Sequence, residues 1–530
     1  MKHARLTYTL LLLPILLIGF FFMFGYNYHL IFKEQLQLFQ FTTSYFQSFL
    51  DTPGGFGSWL GAFFTQFYHI NHLGGFIIGC VLTLLLGMLL LFLKRWKMMR
   101  YVWFALIPVV VAALFLMDIN ANIGGVLSIV LAISLTFIIQ LIPITWIRIL
   151  LSVLLLPVVY WGLGGAVLFF VLFLLLDSAF TREFNGLFAV ILLLLTIAMP
   201  FVTRLYIRPT TLKQVLVGDA FYRGNARPTL SGIQINMREE AVYKMDHLLK
   251  QGKWKEMVAF AEKKKYTNAL FVSYTNIALL HEKQLGQKLF YFAQRPDINE
   301  FWTSEYLAMY LTGELYYQLD MQNAARAYLF MAHTQTPEGV SPFMLRRLAE
   351  VEIIRQCPDV ALKHIGMLKQ TLFYRSLAKE MEESIRTGVY PQELQVHIQR
   401  YNPPGDFLAK EMVYNLRKTF DQQAGNALLR EFLPAKYLLM KDFQRFISCF
   451  PELKVGFAAS WPKSFQEALL MYAFMTNDDQ LVRQSGINQQ IISDFFQYTQ
   501  INQSGASPDE IRKSLETKYG DTYWFYVQYK

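Results

Sequence analysis

The sequence predicts an all-α fold, a polytopic bundle of transmembrane helices followed by an α-solenoid of tetratricopeptide-like repeats. The 530-residue chain is 54% hydrophobic and only 17% charged, with a mean hydropathy of +0.28, which is too apolar for a soluble protein. Long charge-free runs stop near residue 203, and beyond residue 236 a repeat period can be counted. We therefore expect a membrane domain at 1–208, a linker at 209–236, repeats at 237–400 and a further helical region at 401–530.

The first apolar run, "LTYTLLLLPILLIGFFFMF", is long enough to span a bilayer and follows Lys2 and Arg5. No small-x-small cleavage site follows it, so we interpret it as a retained span that begins inside. The next run ends in "KRWKMMR", which marks a cytoplasmic turn by the positive-inside rule. The segment between the two runs, 31–71, is therefore predicted to be external and interfacial.

The number of spans depends on residues 149–176, which are too long for one untilted helix. Their centre, "YWGLGGA", is rich in glycine and favours two short spans joined by a tight hairpin. This gives seven spans and an extracytoplasmic C-terminal domain on a bacterial inner membrane. Six spans stay an alternative, because they would place Arg204, Arg208 and Lys213 inside.

The soluble half shows the tetratricopeptide period. Gly252, Gly286 and Asp320 follow one another at 34-residue intervals, each at an expected break between two helical stretches. The third and fourth units carry small or aromatic residues and a helix-ending proline where this repeat needs them: Gly313, Tyr316, Ala325, Ala332, Pro337, Ala349 and Ala361. Such solenoids usually bind a peptide or a protein, so we expect a protein partner.

Several classes of function are disfavoured. The net charge of +10 comes without any nucleic-acid-binding motif, and it suits contact with membrane lipid. Three unpaired cysteines and the pair His69 and His72 do not make a metal site, and no cofactor motif occurs. Ser58 in "GGFGSWLG" lacks the strand that a nucleophile elbow needs. Asp177 lies at a span end and is interpreted as a hydrated boundary residue. Charged residues are almost absent from the middles of the spans, so a transporter with an ion path is disfavoured.

Two carboxylates are candidates for catalysis, Glu34 and Asp51, the acids of the external segment. An amphipathic helix is predicted between them, "PGG" ends it, and "WLGAFFTQFY" predicts a second helix in the headgroup region. An apolar ledge beside a carboxylate could hold a polyprenyl-linked sugar while a general base activates an acceptor. A re-entrant connector would look the same.

The ending "KYGDTYWFYVQYK" is unusually aromatic. Its residues Tyr523 to Tyr526 suit either a docking strip or a terminal extended segment, which would pack on its own solenoid or lie at the membrane interface.

The combination of "WLGAFFTQF" after the first span, the multi-pass half, the repeats and "GDTYWFY" resembles an uncharacterised family of multi-pass membrane proteins from Bacteroides-type bacteria. The membrane half is also loosely similar to polytopic glycosyltransferases that use lipid-linked sugars, although it lacks their paired Asp motif. The first hypothesis is a non-enzymatic inner-membrane protein whose repeats bind a partner in envelope or polysaccharide assembly. The second is a glycosyltransferase-like enzyme that acts on polyprenyl-linked sugars through Glu34 or Asp51.

Overall fold

A computed structural model describes residues 2–181, 186–207, 212–222, 236–296, 306–336, 340–401, 412–422, 426–451, 453 and 461–530. This part of the chain is all-α, as predicted, and its one β feature is an isolated bridge between Ala121 and Tyr222. The chain packs into two compact units. The membrane unit comprises Met1–Glu240, Thr336–Phe343 and Ile365–Glu380, and the C-terminal unit comprises Ala241–Gln335, Met344–His364 and Met381–Lys530. The four-part domain division stays a prediction.

The helices of the membrane half follow the apolar runs. They are α1 (Lys2–Phe20), α2 (Asn27–Glu34), α3 (Thr43–Phe49), α4 (Gly55–Thr65), α5 (Leu73–Arg95), α6 (Leu106–Leu116), α7 (Ile123–Gln140), α8 (Thr145–Leu163), α9 (Val167–Phe180), α10 (Gly186–Tyr206) and α11 (Leu212–Val217). Among the described residues, five helical stretches are long and apolar enough to cross a membrane, and the bent pair Leu10–Gly25 and Asn27–Glu34 makes a sixth if it is one span.

The outer faces of these helices expose large apolar side chains. Leu84, Leu154 and Leu194 are each more than half exposed, which water would penalise and hydrocarbon would not. The apolar helices thus indicate a membrane-embedded protein.

The longest stretch, Thr145–Phe180, has 36 residues and reverses at its centre. Near its start Arg148 donates to Gln140 at the end of α7, and near its finish Asp177 accepts from Arg95 at the end of α5. Those two helix ends are neighbours, because Phe92 on α5 contacts Phe137 on α7. A straight helix would separate residues 148 and 177 by roughly 44 Å. The predicted hairpin is therefore present, whereas the total of seven spans stays a prediction.

This topology gives the bundle two ends, which we call the Glu34 end and the Arg95 end. Lys33 donates to the carbonyl of Leu116, so α6 finishes at the Glu34 end. The chain after α10 also lies there: the Asn122 amide donates to the carbonyl of Phe221, and the Glu240 carboxylate accepts from the amides of Tyr28 and His29. Residues 212–222 of the predicted linker thus pack on the same end as the segment that follows α2.

Three chain reversals meet at the Glu34 end through Gly54, Gly164 and Gly218. All three have positive φ, at +83°, +60° and +72°. A Cβ on Gly164 would lie 3.1 Å from the Cα of Gly54 and 3.2 Å from that of Gly218. We call this contact the glycine junction, and only residues without a side chain fit it.

Replacing Gly164 by alanine should destabilise the protein by about 1–3 kcal/mol, because the new Cβ would lie 2.9 Å from the carbonyl oxygen of Val217 and the backbone is left-handed. Thermal unfolding of the full chain in detergent measures this. Gly162→Ala is the matched control, since its Cβ would meet nothing closer than 3.8 Å and alanine favours a helix. Equal melting temperatures for the two variants would contradict the role of the junction.

The later helices are short and come in hairpins. They are α12 (Met237–Lys250), α13 (Trp254–Lys264), α14 (Ala269–His281), α15 (Leu285–Lys288), α16 (Tyr306–Gln318), α17 (Gln322–Gln335), α18 (Pro342–Ile354), α19 (Pro358–Leu368), α20 (Arg375–Thr387), α21 (Gln392–Arg400), α22 (Met412–Gln422), α23 (Ala427–Leu439), α24 (Phe443–Ser448), α25 (Lys463–Thr476), α26 (Asp479–Ser485), α27 (Gln489–Asn502), α28 (Pro508–Tyr519) and α29 (Tyr523–Tyr529).

A left-handed residue closes successive hairpins of the C-terminal unit. These residues are Gly252, Lys283, Asp320, Gln356, Lys441 and Asn477. The breaks predicted at Gly252 and Asp320 are therefore confirmed, whereas the one predicted at Gly286 is wrong. Gly286 lies inside the short α15, where its Cβ would come within 2.7 Å of Pro462, so its small size serves packing.

Small residues bring α16 and α17 close together, as the repeat pattern predicted. A Cβ on Gly313 would lie 2.8 Å from Leu329, and the side chains of Ala325 and Ala332 are fully buried. The buried Ala349 and Ala361 extend the pattern to α18 and α19. Pro337 lies outside the described residues.

Candidate functional site

The segment that follows α2 forms two helices, α3 and α4, but the first is shorter than the sequence predicted. It begins only at Thr43, and residues 37–41 are not helical. Between them Gly54 is left-handed, and a Cβ on Gly55 would lie 1.6 Å from the carbonyl oxygen of Phe49, so "PGG" breaks the helix as expected. Helix α4 packs tightly on the start of α7, where a Cβ on Gly57 would lie 2.1 Å from Ser128 Oγ and one on Gly61 would lie 1.9 Å from Asn122 Oδ1. Whether α4 lies in the headgroup region stays a prediction.

A polar cluster forms where α2 ends. The Glu34 side chain is 4% exposed, and the hydroxyl of Tyr374 donates to its carboxylate at 2.9 Å. The Gln35 amide donates to the same carboxylate and reaches the Tyr374 hydroxyl at 2.8 Å. The backbone contact from the Phe41 amide to the carbonyl of Gln370, at 2.9 Å, holds the same two chain segments together. We call Glu34, Gln35, His69 and Tyr374 the Glu34 cluster.

His69 is the accessible member of this cluster, with 40% of its side chain exposed. Its Nδ1 lies 3.8 Å from a Glu34 carboxylate oxygen and 3.3 Å from the Tyr374 hydroxyl. The neighbouring Glu34 carboxylate raises the pKa of His69 above its ordinary value, so the imidazole keeps its proton to a higher pH. A histidine beside a carboxylate can act as a general acid or base.

Aromatic rings run from α4 to this cluster. Trp59 stacks on Phe63 at 6.0 Å, Phe63 contacts Phe67 at 5.5 Å, and Phe67 contacts Phe373 at 5.9 Å. The last ring stacks on His69 at 5.0 Å. The predicted apolar ledge therefore exists as a row of half-buried aromatic side chains that ends at the Glu34 cluster.

The other candidates of the segment lie apart from the cluster. Asp51 is exposed in the turn after α3, so the structure does not bury it beside Glu34. His72 has a left-handed backbone and bonds through Nδ1 to the carbonyl of Met23, so it does not join His69. In the described residues no group of three potential metal ligands occurs. Ser58 faces the amide of Asn122 at 3.4 Å.

Sequence reasoning missed Tyr374, which lies 340 positions from Glu34, because no local pattern connects the two residues. It also missed the partner of Asp177. That carboxylate is fully buried and accepts from Arg95 Nε at 2.8 Å and from Trp96 Nε1 at 2.8 Å. Placing Asp177 at the end of a span was correct, but the residue is a buried ion-pair partner rather than a hydrated boundary residue.

A second candidate site lies within the C-terminal unit. A cavity of about 400 Å³ is lined by residues from three stretches, 265–267, 290–293 and 516–530. The Lys265 ammonium lies 4.2 Å above the Tyr291 ring, and Lys518 and Lys530 also line the cavity. The acidic wall residue Asp521 is paired with Lys463 at 2.9 Å. We call this cavity the lysine cleft.

The aromatic ending does not form an exposed strip. Tyr523, Trp524, Phe525 and Tyr526 are each at most 2% exposed. The indole of Trp524 donates to the carbonyl of Glu467, and the Tyr523 amide donates to the Glu467 carboxylate. Burial raises the pKa of Glu467 to about 8. Packing of this segment on its own unit is therefore confirmed, but it forms helix α29 rather than an extended segment.

A bundle of apolar helices, followed by helical hairpins that carry a lysine cleft, defines a membrane-embedded protein with a helical C-terminal unit. The chain belongs to DUF6057, a family of unknown function whose model matches residues 2–530. No curated protein and no solved structure matches the chain. The chain is thus a member of a family of unknown function, which brings no activity with it. The Bacteroides-type origin stays a prediction.

Tyr374→Phe should loosen residues 365–380 from α2, because the buried Glu34 carboxylate would lose the hydrogen bond that the Tyr374 hydroxyl shares between its two oxygens, a loss worth about 1–3 kcal/mol. Hydrogen exchange of the full chain in detergent should show faster exchange at the Phe41 amide and across 370–380. Tyr390→Phe is the control, since the Tyr390 hydroxyl makes no hydrogen bond to a described residue. Unchanged exchange in both variants would mean that the hydroxyl does not hold the segment.

Proposed function

We propose that this chain is an integral inner-membrane protein of a Bacteroides-type bacterium whose helical repeats bind an acidic segment of a protein partner. The observation that carries the proposal is the lysine cleft. The loose similarity of the membrane half to polytopic glycosyltransferases and the membrane location favour a role in cell-envelope or polysaccharide assembly.

The composition of the cleft points to the chemistry of the partner. Three lysines, Lys265, Lys518 and Lys530, line a cavity whose acids are Glu516 and Asp521. Because Lys463 neutralises Asp521, the cleft keeps an excess of positive charge. Electrostatic complementarity selects partners by charge, so an acidic segment fits. The ring of Tyr291, 39% exposed, adds the rigid apolar contact that interfaces favour.

A labelled polyglutamate peptide tests the proposal on the full chain in detergent, with polyglutamine of equal length as the neutral probe. Fluorescence anisotropy should show binding of polyglutamate that weakens with added salt. The double change Lys265→Glu and Lys518→Glu should weaken binding by at least about tenfold, which is about 1.4 kcal/mol.

The matched control reverses two exposed lysines outside the cleft, Lys255→Glu and Lys379→Glu. It changes the net charge by the same amount and should leave the affinity within about twofold if the cleft is the site. An equal loss of affinity in both double variants would mean that net charge alone explains the binding, and it would contradict the proposal.

The orientation of the protein follows from its basic residues. The Arg95 end carries Lys94, Arg95, Lys97 and Arg100, and Arg148 lies at the start of α8 on the same end. By the positive-inside rule this end faces the cytoplasm. The Glu34 end, from which the chain enters residues 241 onward, would then face the periplasm.

Paired reporters fused after Lys530, one active only in the cytoplasm and one only outside it, check this orientation. We expect the external reporter to be active, because the charge bias and an odd number of passes agree. As a control, both reporters are fused after Lys97, in the basic turn, where the cytoplasmic reporter should be the active one. Activity of the cytoplasmic reporter after Lys530 would contradict the seven passes.

A second candidate function is supported by His69. A half-exposed imidazole beside the buried Glu34 carboxylate, at the end of the aromatic ledge, is an arrangement that a glycosyltransferase-like enzyme could use on a polyprenyl-linked sugar. Glu34 would then support His69, while Asp51 would act separately. The variant His69→Asn separates the two candidates. If the protein acts only by binding a partner, the variant should bind polyglutamate as the parent protein does. If it is a glycosyltransferase-like enzyme, the variant should no longer form a lipid-linked glycan product.

A further inference from the structure

An apolar cavity of about 490 Å³ lies at the Arg95 end of the bundle. Leu89 and Leu93 of α5, Phe104 and Pro108 before and within α6, and Phe173 of α9 line it. Phe104 is 66% exposed and Pro108 is also exposed, so the cavity opens sideways on the apolar face of the bundle. Its size falls within the range of roughly 300–1,000 Å³ that is typical of small-molecule sites.

Basic residues lie beside this cavity. Arg100 lines it. Lys94, in the last turn of α5, and Lys97, in the turn that follows, are next in sequence to the lining residues Leu93, Trp96 and Met98, and all three basic side chains are exposed. In the described part of the chain none of the three makes an ion pair, and Arg100 lies instead over the Tyr101 ring at 4.5 Å. Arg95 differs from these residues because it forms an ion pair with Asp177. Arg100 on the rim, together with Lys94 and Lys97 beside it in the chain, thus carries positive charge that no described residue pairs.

Contacts within the bundle hold the walls of the cavity in place. The Asp177 carboxylate binds both Arg95 and Trp96, which joins the end of α5 to α9. Phe173 packs on Trp96 at 5.9 Å and on Phe92 at 4.8 Å. A buried ion pair of this kind fixes geometry more than it adds stability. The cavity is thus preformed, so a ligand need not meet the cost of ordering it.

We propose that this cavity binds one anionic phospholipid of the surrounding bilayer. One acyl chain enters between α5 and α6 through the opening beside Phe104 and Pro108. The phosphate lies among Lys94, Lys97 and Arg100. An apolar cavity with a basic rim at the membrane surface matches both parts of such a lipid, whereas a soluble anion would leave the apolar walls uncovered.

Native mass spectrometry of the full chain in detergent tests the site with phosphatidylglycerol and with phosphatidylcholine of the same acyl chains. Phosphatidylglycerol should be retained preferentially. The triple variant Lys94→Gln, Lys97→Gln, Arg100→Gln should reduce that preference by at least about tenfold, because each basic residue near a membrane surface contributes roughly fivefold. The control Lys255→Gln, Lys263→Gln, Lys379→Gln, at exposed lysines elsewhere, should retain the lipid like the parent protein.

A second pair of variants tests the cavity itself. Leu93→Trp, at a wall position, should reduce retention of both lipids, whereas Leu84→Trp, on an exposed position of the same helix, should not. An equal effect of the two tryptophans, or of the two triple variants, would overturn the proposal. Displacement of phosphatidylglycerol by glycerol phosphate would also overturn it, since that result would assign the site to a soluble phosphate.

Discussion

The membrane unit depends on the glycine junction at its Glu34 end. Gly54, Gly164 and Gly218 all have left-handed backbone. A side chain on any of them would come too close to the backbone of a neighbouring segment. The contact joins the turn before α4, the reversal between α8 and α9, and the segment that follows α11. It is reinforced by backbone bonds, from the Gly54 amide to the carbonyl of Trp161 and from the Asp219 amide to that of Pro53. In an apolar environment such turns persist only when their polar groups are satisfied in this way.

Buried charges follow the same principle in both units. Arg95 and Asp177 pair in the membrane unit, and in the C-terminal unit the fully buried Glu314 accepts two bonds from Arg347. Arg347 also lies 3.9 Å above the Tyr317 ring. A buried charge without its partner would cost several kcal/mol, so these pairs specify which helices meet. The Glu34 cluster does so for α2 and residues 365–380.

This structural use of Glu34 changes the balance between the two functional hypotheses. A carboxylate that accepts from Tyr374 and Gln35 is already engaged, which suits a positioning role better than that of a free general base. His69 retains access to solvent, so the imidazole is the accessible group of the Glu34 cluster. The lysine cleft has the opposite character, with exposed charges and an exposed ring, and exposed groups are what a binding site requires.

The sequence by itself determined the helical class, the apolar passes, the break at "PGG" and the hairpin at "YWGLGGA", because each depends on composition or on local backbone preference. It also located the close approach of α16 and α17, since small residues at this spacing allow two helices to pack closely. It misplaced the break at Gly286, where the residue is small for contact with Pro462 rather than for a turn. The tertiary structure alone decided that Tyr374 meets Glu34, that Asp177 meets Arg95 and that the aromatic ending is buried. These contacts join residues far apart in the chain, and no local pattern encodes such a pairing.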